Sequence, residues 1–319
     1  MTNTRGAEWA HRSSAIRHTL GEGPKESKVH KRRMVIMAGL ATVLLVALAY
    51  VALWSKQPQR SSARSTPPPT VQYLTGVVRD FLPTHPDFNV VPSNGYGQYC
   101  GNIAPQLDSD GKPKFVGGGF RVAQQWRDKQ ARPIAWCIYS NVWDDKEGKG
   151  QKGSVDSGAI TSAATYAQWY RDVPGVNMSR PHTLTLTKQS DGMYEFITND
   201  FHPIDGALLG NDADGKNLHY TFEIDARFVY DPTGGQDLDF MGDDDIWVFI
   251  DDRLVIDMGG IGANSTQHLD LKRLNLTPGK MYIMKFFHAE RKQPKSQFRI
   301  KTNILFEGSS VPTITDQYD

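Results

Sequence analysis

The clearest hydropathy pattern lies at Ile246-Trp247-Val248-Phe249-Ile250, five consecutive apolar residues rich in β-branched and aromatic types. Such a run predicts a strand buried on both faces. Elsewhere the pattern alternates. Thr183-Leu184-Thr185-Leu186-Thr187 has the period of a half-exposed strand. Tyr194-Glu195-Phe196-Ile197 follows the turn residues Ser190-Asp191-Gly192, and residues 219–230 place Tyr220, Phe222 and Ile224 on one face. Residues 253–256 are expected to pair back on 246–250 through Asp251-Asp252, a turn that puts Asp252 where a positive φ is plausible. Residues 281–287 and 297–306 complete the strands. One helix is predicted over 161–171, capped by Thr161 or Ser162, with Pro174-Gly175 just beyond it. Residues 141–158, rich in glycine and charge, predict a surface loop. Many strands with one short helix point to an all-β sandwich or barrel.

The N-terminal end reads differently. Residues 34–54 run for 21 positions without a charge. A helix of that length is roughly 31 Å long and matches a bilayer core. Before it, residues 1–33 carry eight Lys or Arg against three acids, a net charge of +5. This asymmetry places a basic tail in the cytoplasm and the C-terminal bulk outside. Ala47-Leu48-Ala49 resembles a small-residue cleavage site, but the long apolar run and basic lead favour an uncleaved signal anchor. Residues 55–70, with Pro67-Pro68-Pro69, read as a Pro/Ser-rich linker. Residues 71–319 are then one extracytoplasmic β-domain, in the periplasm or at the cell surface.

Charge and cysteine content narrow the partners. The whole chain carries +1; subtracting the lead's +5 leaves residues 34–319 at −4. Nucleic acid is therefore not the expected partner of the outer part. The basic tail either binds acidic lipid heads or a cytoplasmic partner, or serves only to orient the chain. The two cysteines, Cys100 and Cys137, form an even pair in an exported domain and predict one disulfide.

The candidate chemistry sits at the mouth of the buried strand, where Gly242 precedes Asp243, Asp244 and Asp245. Two like charges about 4 Å apart repel by roughly 4 kcal/mol at an effective dielectric of 20. Solvent, a raised pKa, a basic partner such as Arg253 or Arg291, or a hard cation must offset this. Calcium suits clustered carboxylate oxygens held in a loop. A second acidic segment, 211–217, fails the calcium-loop pattern. Asn217 stands where the invariant glycine belongs and Lys216 where an oxygen ligand belongs, so it reads as a solvated turn.

Several separated blocks resemble the fibro-slime domain family, a relative of the protective-antigen-type lectin domain of toxins, glycosidases and fungal flocculins. They include Thr75-Gly76-Val77-Val78-Arg79-Asp80-Phe81, His85-Pro86-Asp87-Phe88, Gln168-Trp169-Tyr170, Asp172-Val173-Pro174-Gly175-Val176-Asn177 and Phe201-His202-Pro203-Ile204-Asp205-Gly206. The strongest block is 240–260, followed by Leu276-Thr277-Pro278-Gly279-Lys280 and Phe287-His288-Ala289-Glu290-Arg291. The resemblance spans about residues 74–304. It implies a β-sandwich or barrel in which two adjacent aspartates, joined by a cis peptide, hold a calcium ion that contacts sugar hydroxyls. Asp243 and Asp244 fall on that pair. Asp245 stands where such relatives often have glycine, adding a ligand or an acid that caps the strand. A later loop completes the site in those relatives; by position this is 288–296, with Glu290 as oxygen donor, although Lys292 and Lys295 would repel a cation.

Rival chemistries find less support. His288, Glu290 and Arg291 read as a strand end with a Glu–Arg pair, since no nucleophile or second acid lies near them in sequence. His85 and His202, each before a proline, read as loop-shaping residues. Asn177-Met178-Ser179, Asn264-Ser265-Thr266 and Asn275-Leu276-Thr277 fit glycosylation sequons. No serine elbow, phosphate loop or metalloprotease helix occurs in the sequence, and no enzyme activity is expected. The expectation is a membrane-anchored adhesion module that binds carbohydrate or a cell-surface polymer with calcium. The rival is a structural subunit of an envelope assembly, acting through self-association.

Overall fold

A computed structural model of the chain describes residues 68–310 except 213–214, 263 and 293–295, with the backbone alone at 152–154 and 309–310. The described residues all fall within one compact unit that begins at Pro68. The basic tail, the apolar run 34–54 and most of the 55–70 linker lie outside the described residues. Among those described, no helix is long and apolar enough to cross a membrane.

In chain order the strands begin with β1 (Val71–Phe81), β2 (Tyr99–Cys100), β3 (Phe120–Gln124), β4 (Trp126–Arg127), β5 (Pro133–Ile134) and β6 (Lys149–Val155). A single turn of helix, α1 (Ala163–Tyr166), precedes β7 (Asn177–Lys188), β8 (Tyr194–Thr198), β9 (Tyr220–Val229), β10 (Asp237–Gly242) and β11 (Asp245–Ile250). Then come β12 (Arg253–Met258), β13 (Ser265–Asp270), β14 (Met281–Glu290), β15 (Phe298–Thr302) and β16 (Phe306–Ser310). Ten strands pair in the order β12-β11-β14-β9-β1-β7-β8-β15-β10-β13, and β16 adds to β9. The first and last of this path, β12 and β13, are joined by a side chain. Gln267 of β13 accepts from the Asp257 amide at 3.0 Å and donates to the Asp257 carbonyl at 2.9 Å. Its amide thus replaces a ladder pair, satisfies edge groups that burial would otherwise orphan, and nearly closes the sheet into a barrel.

Two cores explain the double burial of β11. Ile246, Val248 and Ile250 point into the barrel with Phe222, Ile224, Phe240 and Phe286. Trp247 and Phe249 point outward, onto a second core with Phe88, Tyr166, Trp169, Tyr170 and Phe287. The run of five apolar residues is the period-2 pattern of a strand with both faces covered. The predicted face of Tyr220, Phe222 and Ile224 is the inner face of β9. Its outer face is polar, and buried at Thr221 and Glu223. Glu223 is held by Arg79 at 3.0 Å and by Lys112, while Arg79 also pairs with Asp172 at 2.9 Å.

Some sequence expectations change. The helix is confined to Ala163–Tyr166, capped by Ser162, whose hydroxyl accepts from the Thr165 amide at 3.1 Å. It stops because Asn177 reaches back, donating to the Gln168 and Arg171 carbonyls at 3.0 and 2.9 Å and fixing the following residues as turns. That same grip buries Asn177, so its sequon is closed in the folded chain. Residues 141–158 contain β6 and a short 3-10 turn at Asn141–Trp143 instead of being loop throughout. Asp251 and Asp252 form the hairpin turn, with φ of 43° and 65°.

The predicted Cys100–Cys137 disulfide is not present; both are free thiols. The Gly101 amide and the Trp136 indole, each beside one cysteine, converge on one oxygen of Asp257 at 2.9 and 2.6 Å. The Cys137 thiol donates to the Leu254 carbonyl at 3.5 Å. Burial, with the Asp257 charge second, pushes both thiols far up, so they stay protonated.

Candidate functional site

The acidic cluster forms where five segments meet: the link from β10 to β11, the turn after β12, the end of β14, the chain just before β15, and the chain just before β2. Asp243 and Asp244 make the link, joined by a cis peptide bond. Backbone amides hold their carboxylates. Gln297 N–H donates to Asp243 Oδ1 at 2.5 Å; Gly262 N–H and Arg291 N–H donate to the two oxygens of Asp244 at 2.6 and 2.9 Å. The Asp243 carbonyl accepts from His288 Nε2 at 2.9 Å. Burial pulls His288 down to about 4, so this imidazole is neutral at pH 7 and donates as a fixed tautomer.

Asp245 is placed differently from its neighbours. Arg291 Nε lies 2.6 Å from its Oδ2, and the Gly260 amide donates to its Oδ1 at 2.6 Å. The guanidinium also donates to the Gly158 carbonyl at 2.8 Å and lies 5.0 Å from the Trp169 ring centre. Asp245 is therefore the buried anchor of Arg291, and its oxygens are engaged in that role. The expected Glu290–Arg291 pair does not form; Arg291 turns to Asp245 instead.

Glu290 is the anomaly. It is completely buried, and neither carboxylate oxygen makes a hydrogen bond of good geometry. Burial raises its proton affinity well above the usual carboxylate range, and the charges of Asp244 and Asp243 add to that, against weaker opposition from the Ser296 hydroxyl and the Lys292 amide. Asp244 is pushed up to about 7, mainly by burial, with Arg291 opposing. Three acids thus share one desolvated corner, and something must neutralise them: protons, or a cation.

The donor chemistry fits a hard cation. All three groups offer carboxylate oxygens, and the two of Glu290 have no well-formed hydrogen bond. Among the described residues, no group of three or more His, Cys, Asp or Glu side chains is gathered tightly enough to enclose an ion as it stands. Lys292, feared as a repelling charge, is turned aside onto the Asn89 side chain at 3.2 Å; Lys295 lies outside the described residues.

The frame around the cluster was not foreseen from the sequence. Residues 259–262, Gly-Gly-Ile-Gly, supply two of the amides that hold the acids. They also lie against residues 97–99, with Tyr99 N–H donating to the Gly259 carbonyl at 2.5 Å and Gly97 N–H to Ile261 at 3.0 Å. Three glycines in four residues was the available signal, since close backbone approach needs them.

Residues 183–310 match the family model of the PA14 domain. The match takes in Asp243, Asp244, Asp245 and Glu290. The match supports the PA14-type resemblance and does not test the narrower fibro-slime one. Protein psiD of Dictyostelium discoideum is 31% identical over 245 residues, which is 74% of this chain and 42% of psiD. Protein psiI of the same organism is 41% identical over 140 residues, 41% of this chain and 19% of psiI. The chain thus spans less than half the length of these relatives. A solved alpha-xylosidase from Xanthomonas citri aligns over 76% of this chain and 25% of its own at 8% identity; its TM-score of 0.16 carries no likeness of fold.

Proposed function

We propose that the β-domain is a carbohydrate-binding adhesion module whose PA14-matching region takes calcium at Asp243, Asp244 and Glu290, and that residues 34–54 anchor it to a membrane. The observation that carries this reading is the complete burial of the Glu290 carboxyl, without a well-formed hydrogen bond or a basic partner among the described residues, beside two further buried aspartates. Calcium there would offset the clustered charge and offer a Lewis-acidic contact to sugar hydroxyls. The chain's own residues prepare the place. Amides of Gly262, Arg291 and Gln297 fix the two aspartates, and His288 fixes the carbonyl between them. Asp245 is left out of this ligand set because Arg291 claims it.

The test is thermal unfolding with calcium and with chelator, beside an Asp243→Asn, Asp244→Asn variant. An ion that binds only the folded state at 100 times its dissociation constant adds about 2.7 kcal/mol. Calcium should raise the midpoint of the natural protein and not that of the variant, and a glycan screen should then give calcium-dependent binding. Absence of any calcium effect sinks the proposal and leaves Glu290 neutralised by a proton. Concentration-dependent self-association without sugar binding would favour a building block of a surface assembly.

A further inference from the structure

Tyr96 is a large aromatic side chain left 45% exposed at the rim of the acidic cluster. Single exposed aromatics are common and carry little by themselves. What distinguishes this one is how firmly its backbone is held and where. Ser93 and the Asn94 amide and side chain all donate to one oxygen of Asp156, at 2.7, 3.0 and 2.7 Å. Tyr99 O–H donates to the Gly95 carbonyl at 2.6 Å. Arg121 donates twice to the Tyr96 carbonyl, at 2.7 and 3.2 Å. Gly97 then bonds to Ile261 at 3.0 Å. Both neighbours of Tyr96 and its own carbonyl are thus pinned.

That side chain lies on Gly262. A methyl group placed on Gly262 would stand 3.3 Å from Tyr96 Cβ and Cδ1. Gly262 is also the residue whose amide holds Asp244. The ring therefore borders the Asp244 side of the cluster. The Asp243 side is bordered by Gln297, whose amide holds Asp243 and whose side-chain oxygen accepts from exposed Asn264 at 2.6 Å. A flat apolar face on one flank and paired carboxamides on the other match the two surfaces of a pyranose, its C–H face and its hydroxyls.

We infer that Tyr96 is a stacking platform for the sugar ring bound at the Asp243–Asp244 cluster, with Asn264 and Gln297 reading hydroxyls opposite it. This rests on the carbohydrate reading above and extends the site beyond the PA14-matching residues 183–310, into a segment more than 80 residues earlier in the chain. An aromatic with only two side-chain torsions, on a backbone already held, loses little entropy when it is covered.

The full chain would be screened in calcium against immobilised galactose, mannose, glucose and N-acetylglucosamine, and the dissociation constant measured for the sugar retained. Tyr96→Ala should weaken it roughly tenfold, Tyr96→Phe should leave it within about twofold, and both should keep the calcium-dependent rise in melting midpoint. If Tyr96→Ala binds as tightly as the natural chain while Asp243→Asn abolishes binding, the platform is overturned and the calcium site stands. Retention of none of the four sugars overturns the carbohydrate reading and the platform with it. Loss of the calcium-dependent rise in Tyr96→Ala overturns the platform too, because the residue would then be part of the frame of the ion site.

Discussion

Arg291→Ala is the sharpest test of how the acidic corner is built. The guanidinium is fully buried and satisfies Asp245 through Nε at 2.6 Å and a second nitrogen at 3.3 Å. It also donates to the carbonyls of Gly158 at 2.8 Å and of Asp87 and Ala159 at 3.3 Å. Truncation leaves Asp245 buried beside Asp244 with no counter-charge. Removing one partner of a buried ion pair costs about 3–5 kcal/mol. Orphaning the carbonyls and emptying the space beside Trp169 push toward the upper end of that range. In a domain of this size 1 kcal/mol moves the midpoint by about 2–4 °C, so a fall of roughly 10 °C or more is expected. Differential scanning calorimetry reads this directly. Asp245→Asn should cost less, because it keeps the volume and an acceptor, and Arg291 keeps its three carbonyl partners and the nearby Asp244 charge. The double variant should be less destabilised than the sum of the two, with a coupling of about 0.5–3 kcal/mol. A loss under 1 kcal/mol for Arg291→Ala, or strict additivity, would refute the anchor role. Asp245→Asn should also leave intact any stabilisation by calcium; if calcium stabilisation vanished, Asp245 would be a ligand after all.

Two further outcomes follow from other parts of the fold. Asp252 occupies the left-handed region at φ 65° with its side chain exposed, so Asp252→Gly should stabilise the hairpin by about 0.5–1 kcal/mol in urea unfolding; a loss would show that the carboxylate has an unseen role. Asp80 is buried under the Leu209 amide and Asn217, and burial raises its carboxyl from 3.8 to about 6. The folded state thus holds this proton more tightly than the unfolded chain does. The corresponding stability is full below about pH 4 and is lost as pH rises through about 6. Urea titrations of the natural protein and of Asp80→Asn across pH 4–7 should differ in slope in that sense, and equal slopes would refute it.

The strand pattern was legible because burial on a sheet has a period of two. The alternation at 220, 222 and 224 named the inner face of β9, and the unbroken run at 246–250 named a strand covered on both sides. The Asp251-Asp252 turn followed from the spacing between two apolar runs. The acidic cluster was visible too, since three adjacent carboxylates at a strand mouth are electrostatically costly wherever they fold. What the chain does with each acid was not visible. Asp243, Asp244 and Asp245 are equivalent in sequence, yet one is claimed by Arg291, 46 residues away, and the other two by backbone amides. That division depends on which loops converge, a non-local outcome that no local spacing encodes. The cysteines teach the same lesson, because their even count predicted a bond whereas their surroundings keep two protonated thiols beside Asp257. Tyr96, unremarkable at its place in the chain, gains its position only because Gly97 and Tyr99 pack on the glycine turn that follows β12. Hydrophobic periodicity and charge density are properties of the chain and survive in any fold; the pairing of charges and the rim of the site are contacts, and only tertiary structure makes them.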